Sequence, residues 1–465
     1  MSDANSFETV DIPADVPVAR LPPEILAAIF SMLSLSPILP PKGYRLGWNG
    51  ALWARIGWLN VTHVCRRWRY VALQHPALWA NITIPHPLGD HWADASFSRA
   101  QDAPLTILQP DDSGPFALRA SDHAFIRANL ARTRVLRLNS CTDPILDILC
   151  TPAPVLHALD LTFSNDPEQA LPDSFLSGAP LRHLRLHVAG QLPWTSPLLS
   201  NLVSLELETK IIAHVRRAAL ADVLGALGRM RTLERLAVGL ALDAADAHAA
   251  GTVALPQLRH LHLRADIASA HRLLAHLVLP ASANMHFSVR CEASAHPATD
   301  NAALFSAMIA SFDGRPPLSH IRITRSAAAA GGHVAAWRAG EARRGPALAV
   351  TLSDSGSVAS AALSALASEH LEELDVYSAD AGEAWLTALR NAPRLRHAAV
   401  DGPAVRAFCG ALEDASFLPA LSALVIAGPS SVVGAGALTD VHEACARRLQ
   451  EAAPGMDVKW RWVWR

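Results

Sequence analysis

The sequence predicts an α/β fold in two parts. A short all-α module of three helices comes first, and a solenoid of repeated strand–helix units follows. Three observations carry this prediction. "LPPEILAAIFSML" (Leu21–Leu33) sets two prolines ahead of apolar residues at helical spacing. "VTHVCRRWRYVALQHPALWANI" (Val61–Ile82) holds a second helical stripe, a basic cluster and two tryptophans. From Ile82 onward the period changes, and a motif L-x-x-L-x-L recurs about every 26 residues.

Met1 to Ala19 is polar, with Asp3, Glu8, Asp11 and Asp15, and is expected to be a flexible tail. Pro22 and Pro23 suit the first turn of a helix, and Glu24 suits the positive end of its dipole. Ile25, Leu26, Ile29, Phe30 and Leu33 then share one helical face. Prolines and glycines break the pattern in a long loop, about 36–56. A second helix is expected from about Leu59, with Val61, Val64, Cys65, Trp68, Val71 and Ala72 on one face and Arg66, Arg67 and Arg69 mostly on the others. Leu78 and Trp79 follow Pro76 in a short further helix or turn, which ends the first module at residues 20–82.

The motif then appears as "LHALDL" (Leu156–Leu161), "LRHLRL" (Leu181–Leu186), "LVSLEL" (Leu202–Leu207) and "LERLAV" (Leu233–Val238). It continues as "LRHLHL" (Leu258–Leu263), "LSHIRI" (Leu318–Ile323), "LEELDV" (Leu371–Val376) and "LSALVI" (Leu421–Ile426). Weaker copies fall at Ile82, Leu105, Leu136, Phe287, Val350 and Ala398. The x-L-x-L-x core alternates as a strand does, while "RRAALADVLGALGRM" and "IASAHRLLAHLV" read as helices. The interval lies within the roughly 20–29 residues of leucine-rich repeats. Residues 83–465 are therefore expected to form a degenerate leucine-rich-repeat horseshoe. A C-terminal strand in "MDVKWRWVWR", with Val458, Trp460 and Trp462 on one side, is expected to cap it. Only Cys141, three residues after Leu138, fits the Asn or Cys that such repeats use for their hydrogen-bond ladder, so the ladder must be made differently.

Composition narrows the function. Of the 465 residues 51% are apolar and the net charge is −2, unlike a disordered acidic chain or a basic nucleic-acid binder. Three lysines stand against thirty-seven arginines, which together with abundant alanine reads as GC-rich codon bias. The six cysteines form no C-x-x-C pair, which argues against a zinc ribbon or disulfide framework. No secretory signal is read at the N-terminus, and a reducing setting, cytoplasmic or nuclear, is expected. There is no apolar run of about eighteen residues, so no membrane partner is expected. G-x-S-x-G and P-loop motifs are missing, and "GPSSVVGAGALTD" (Gly428–Asp440) lacks the third glycine of a dinucleotide loop. His86, Asp90 and His91 read as a solvated loop rather than a metal site. The expectation is a protein with no enzyme activity, no cofactor and no metal.

The landmarks Leu21-Pro22, Ile25, Phe30, Val64-Cys65-Arg66, Trp68 and Leu78-Trp79 resemble an F-box. That family pattern opens on Leu-Pro and an amphipathic helix, continues through V-C-R-x-W and ends on Leu-Trp. The resemblance covers Arg20 to about Ile82 and departs from the compact pattern in the 36–56 insertion. The layout, with "HPALW" running into degenerate repeats, is similar to F-box proteins of mushroom-forming fungi. The resemblance implies docking onto the Skp adaptor of an SCF-type cullin-RING ubiquitin ligase, with the repeats holding a protein substrate. It assigns the adaptor contact to Leu21, Pro22, Ile25, Leu26, Ile29, Phe30, Leu33, Val64, Cys65, Trp68, Leu78 and Trp79. Three short helices bury little on their own, so large side chains such as Phe30 and Trp79 need either the first repeat or a partner. Two other readings are a repeat scaffold without a ubiquitin role, and an enzyme on a repeat scaffold.

Outward x positions of the strands give a candidate substrate surface. They carry Arg137; His183, Arg185 and His187; Glu206 and Glu208; His260, His262 and Arg264; His286 and Arg290; His320 and Arg322; then Glu373, Asp375 and Tyr377. The arginine–histidine band among them suits an acidic or phosphorylated protein segment. The alternative is polar filler on an exposed face. Few aromatics interleave with the band, so no nucleic-acid partner is expected.

Overall fold

The computed structural model describes residues 17–35, 57–84, 90–109, 118–142, 144–163, 174–176, 178–187, 194–208, 217–243, 251–280, 286–292, 297–313, 318–325, 332–339, 346–352, 358–366, 369–377, 384–401, 404–412, 414, 416–428 and 457–462. The chain is mixed α/β, with helices at the N-terminus and sheets after them. It folds as two compact units, 1–193 and 194–465, so the division falls inside the span read from sequence as one repeat domain. Most of the proposed tail, the 36–56 insertion, His86 and most of the Gly428–Asp440 loop lie outside the described residues.

In the first unit a 3-10 turn, Pro17–Arg20, leads into α1 (Pro23–Leu35). The turn sits in the stretch expected to be flexible; the Leu21 amide donates to the Val18 carbonyl at 3.4 Å. The second predicted helix needs a correction. Residues Gly57–His63 form a 3-10 helix, and α2 starts only at Arg66 and runs to Gln74. Cys65 breaks the continuity: its backbone is extended (φ −160, ψ 169) and its Sγ accepts the Trp68 amide as an N-cap. Thr62 adds to the break, its hydroxyl donating to the Leu59 carbonyl at 2.7 Å. His75 is extended before Pro76, as a residue preceding proline prefers, and α3 (Pro76–Trp79) follows.

Five parallel strands follow, the first four alternating with helices: β1 (Asn81–Thr83), α4 (Asp90–Ala100), β2 (Leu105–Leu108), α5 (Ala120–Asn129), β3 (Thr133–Cys141), α6 (Pro144–Leu149), β4 (Ala158–Phe163) and β5 (His183–His187). Strand alternation puts Leu105, Ile107, Leu136, Leu138, Leu159, Leu161, Leu184 and Leu186 inward, each at most 2% exposed. Gln109 and Asn139 add a side-chain link between the ends of β2 and β3. The Asn139 amide donates to Gln109 Oε1 at 2.9 Å, and its side chain donates to the Gln109 carbonyl at 3.0 Å. Cys141 is buried, its Sγ–H on the Leu138 carbonyl at 3.7 Å, and burial pushes its thiol pKa far up.

The second unit contains β6 (Ser204–Glu208), α7 (Leu220–Arg229), β7 (Arg235–Leu240), β8 (Val253–Ala254), β9 (His260–Asp266), α8 (Ile267–Leu274), β10 (Leu277–Pro280) and β11 (His286–Glu292). It continues with α9 (Pro297–Ala310), β12 (Phe312–Asp313), β13 (Leu318–Arg325), β14 (Gly332–Arg338), β15 (Leu348–Leu352), α10 (Val358–Leu366), β16 (Glu373–Tyr377), α11 (Ala384–Leu389), β17 (His397–Asp401), α12 (Ala404–Ala411), β18 (Ala423–Gly428) and β19 (Asp457–Trp462). α7 is amphipathic and buries Leu220, Val223, Leu224, Ala226 and Leu227. α8 is capped by Asp266, whose two carboxylate oxygens accept the Ser269 amide (2.8 Å) and hydroxyl (2.7 Å).

All fourteen motif positions of the sequence fall in or directly beside strands, but two features depart from a simple strand–helix alternation. The stretch "IASAHRLLAHLV" is not all helix: α8 stops at Leu274, and Leu277–Pro280 is β10, which pairs in parallel with β8 and β12 as a separate three-stranded sheet. The main sheet of this unit runs β6-β7-β9-β11-β15-β14-β13-β16-β17-β18-β19. Thus β14, which the motif does not contain, lies antiparallel between β13 and β15 and reverses their order. Gly332 opens β14 where the chain runs against α10; a Cβ there would lie 3.1 Å from both Val358 methyls. β19 is the predicted last strand and pairs with β18, while the side chains of Trp460 and Trp462 lie outside the described residues.

Candidate functional site

The N-terminal helices are held by a small aromatic core. Phe30 of α1 meets Trp68 of α2 with ring centroids 5.2 Å apart. Trp79 of α3 meets Trp58 edge-on at 5.1 Å, and Arg99 of α4 lies over the Trp79 ring at 4.5 Å. The Trp79 indole N–H donates to the Ala72 carbonyl at 2.8 Å. Arg67 donates to the Leu21 carbonyl, tying α2 to the Leu-Pro turn.

This core sorts the residues that the sequence assigned to one contact. Leu26, Phe30, Cys65, Leu78 and Trp79 are buried within the chain, and Leu21 and Trp68 are half-buried. Pro22, Ile25, Ile29, Leu33 and Val64 are exposed. The predicted single face of α1 is therefore two faces about a quarter-turn apart: Leu26 and Phe30 point inward, Ile25 (48% exposed) and Ile29 (38%) outward. Met32 (70%) lies on the outward face of α1 with Ile25 and Ile29, and Tyr70 (67%) is exposed on α2; neither was read from sequence. Met32 follows Ile25 by seven residues, a helical repeat that could have indicated it. Between α1 and α2 lies an open groove of about 450 Å³, bounded by Pro23, Ala27, Ala28, Tyr70, Val71 and His75.

Residues 18–85 match the model of the F-box-like family. An F-box-like domain occupies this stretch. No curated protein matches the chain. Within the F-box-like domain Phe30, Trp68, Leu78 and Trp79 build the core of the module, and Pro22, Ile25, Ile29, Leu33 and Val64 stay exposed.

The candidate substrate-binding residues fall in both units. In the first, Arg137 lies 3.2 Å from Asp160, and Arg185 lies 3.9 Å from the same carboxylate oxygen. The strand register places Arg137, Asp160 and Arg185 in one row across β3, β4 and β5. His183 is exposed and His187 half-buried. In the second unit His260, His262 and Arg264 are half-buried on β9. His286 and Arg290 stand on β11, with side chains outside the described residues.

Arg322 is committed within the fold. Its Nε–H donates to Asp375 Oδ2 at 2.8 Å, and its guanidinium lies 5.4 Å from the Trp337 ring. His320 stacks on Trp337 at 4.7 Å and donates to the same Asp375 oxygen at 3.1 Å. Burial pushes the Asp375 carboxyl up, but hydrogen bonds and charge from His320 and Arg322 outweigh it, leaving the pKa below the usual 3.8. A depressed carboxylate adds stability that is present above its unfolded value and lost as pH falls through the folded one. Asp375→Asn is therefore expected to lower stability at pH 7 by about 1 kcal/mol, a small figure because half-exposed Arg322 is screened by solvent. The difference from the parent should shrink below about pH 4, read from urea midpoints across pH; a difference independent of pH would contradict it.

Among the described residues no group of three His, Cys, Asp or Glu side chains converges on a metal-sized site, and no helix is long and apolar enough to cross a membrane.

Proposed function

We propose that this chain is the substrate-recognition subunit of an SCF-type cullin-RING ubiquitin ligase. The carrying observation is the exposed apolar surface of Ile25, Ile29, Met32 and Leu33 on α1 inside an F-box-like domain. Four such side chains, each about half exposed, represent on the order of 4 kcal/mol of unrealised burial. A helical adaptor of the Skp type supplies the missing cover, and through it the cullin-RING assembly. The strand–helix array that follows, read as degenerate leucine-rich repeats, then holds a protein substrate. The chain performs no covalent chemistry in this reading; ubiquitin transfer belongs to its partners, in the cytoplasm or nucleus. A leucine-rich-repeat scaffold with no ligase role is the second reading, favoured by the cross-strand ion pairs of Asp160 and Asp375, which give the outward charges a structural task.

Co-expression of the full chain with a tagged Skp adaptor and cullin tests this. A stable ternary complex is expected on size exclusion. A chain with a cooperative thermal transition that elutes apart from the adaptor would remove the ligase reading and leave the scaffold.

A further inference from the structure

The strand register of the first unit brings three basic residues together at the entry to the sheet. Val135, Ala158 and His183 are in register on β3, β4 and β5, so the residues just before them, Arg134, His157 and Arg182, stand side by side. Backbone bonds fix the row: the His157 amide donates to the Arg134 carbonyl at 2.9 Å, and the Arg182 amide donates to the His157 carbonyl at 2.8 Å. Arg134, Arg182 and the adjoining His183 are exposed, and His157 is half-buried. The His157 Nδ1–H donates to the Val155 carbonyl at 2.6 Å, which holds the ring in place. Among the described residues neither guanidinium makes a hydrogen bond or an ion pair, and Asp102, on the turn before β2, pairs with neither. Asp160, the carboxylate on β4, is engaged by Arg137 and Arg185. Like charges side by side on neighbouring strands cost stability. The corresponding row of the second unit is balanced instead. There Arg259 lies 3.9 Å from Glu234, and the Arg396 amide donates to the Glu372 carbonyl at 2.9 Å, which sets those two opposite charges side by side.

We propose that this row binds an acidic segment of a partner protein, with two of its carboxylates on Arg134 and Arg182. The inference rests on the reading of the strand–helix array as substrate-holding, and it places the contact at the strand entries of the first unit rather than on the outward face of the sheet. Arg134 and Arg182 lie two strand spacings apart, about 10 Å. Carboxylates two residues apart on an extended chain are separated by roughly 6.6 Å, and the flexible glutamate and arginine stems close the difference. Arginine suits the carboxylates because its planar fork bonds them through two N–H groups. A segment lying across the three strands meets His157 between the two arginines. Pro154 and Pro180, exposed in the turns ahead of His157 and Arg182, preset those turns, so less order is lost on binding.

The test is fluorescence anisotropy on the full chain with a labelled ten-residue peptide that alternates glutamate and alanine. A peptide that alternates lysine and alanine is the comparison. The glutamate peptide is expected to bind at least tenfold tighter than the lysine peptide. The Arg134→Gln/Arg182→Gln chain should lose at least tenfold in affinity for it. Its thermal midpoint should stay at or above the parent's, because these arginines hold nothing in the fold. Arg259→Gln/Arg396→Gln removes the same charge from the balanced row and should bind as the parent does. Equal binding of the two peptides, full binding by a folded Arg134→Gln/Arg182→Gln chain, or an equal loss in the Arg259→Gln/Arg396→Gln chain would each overturn the proposal. An Arg134→Gln/Arg182→Gln chain that melts below the parent would assign the two arginines to the fold and overturn it too. Adaptor capture is scored on the same preparation. A chain that captures the adaptor but ignores the peptide refutes the basic row alone, and one that binds the peptide without the adaptor refutes the ligase reading alone.

Discussion

Trp79→Ala is expected to destabilise the first unit by about 4 kcal/mol, within the usual range for removing a buried tryptophan. Trp79 is 3% exposed and does three jobs at once. It packs edge-on against Trp58 of the 3-10 helix, it carries Arg99 of α4 over its face, and its N–H satisfies the Ala72 carbonyl near the end of α2. Truncation leaves a cavity, an unpaired carbonyl and an arginine without its platform. Chemical denaturation of the parent and variant chains measures the loss. A shift under 1 kcal/mol would mean that the helices are anchored elsewhere. Trp79→Phe restores much of the volume but not the N–H donor, and should recover about half.

The second large effect concerns binding with little change in stability. Ile25→Asp/Ile29→Asp should reduce adaptor affinity more than a hundredfold while moving the thermal midpoint by only a degree or two. Both side chains are substantially exposed, so the free chain loses little contact. In a complex each would set a carboxylate against an apolar partner, at a cost of several kcal/mol. Leu26→Asp provides the contrast, because Leu26 is fully buried and the change should unfold the module rather than spare it. If the Ile25/Ile29 variant keeps its adaptor, α1 is not the contact.

Much of this molecule was legible in its residues, because period carries secondary structure. Every L-x-x-L-x-L copy falls on a strand, and the apolar spacing of α1 and α7 gave helices. What escaped depended on contacts distant in sequence. The start of α2 was misplaced because a cysteine cap at Cys65 outweighed a continuous apolar stripe. The division of α1 into buried Leu26 and Phe30 and exposed Ile25 and Ile29 depends on where Trp68 lies, and no single-helix pattern encodes that. β14 was missed because "GHVAAWR" alternates weakly and its identity as a strand comes from its neighbours on both sides. The pairing of Arg322 with Asp375 needed the register of β13 on β16, which the sequence separates widely.

The reversed β13–β14–β15 segment also bears on how the second unit folds. In an array whose strands pair only with their sequence neighbours, structure can spread outward from any nucleus, one unit at a time. Here that spread is blocked: Phe287 on β11 has no partner on its far side until Leu348 arrives, after β13 and β14 have been made. The strands before and after this point are thereby joined by a long closed loop, whose entropy must be overcome in one step. The second unit is thus held to a more nearly all-or-none transition than its repeats alone would give, and a nascent chain stopped short of β15 carries β11 as an open edge.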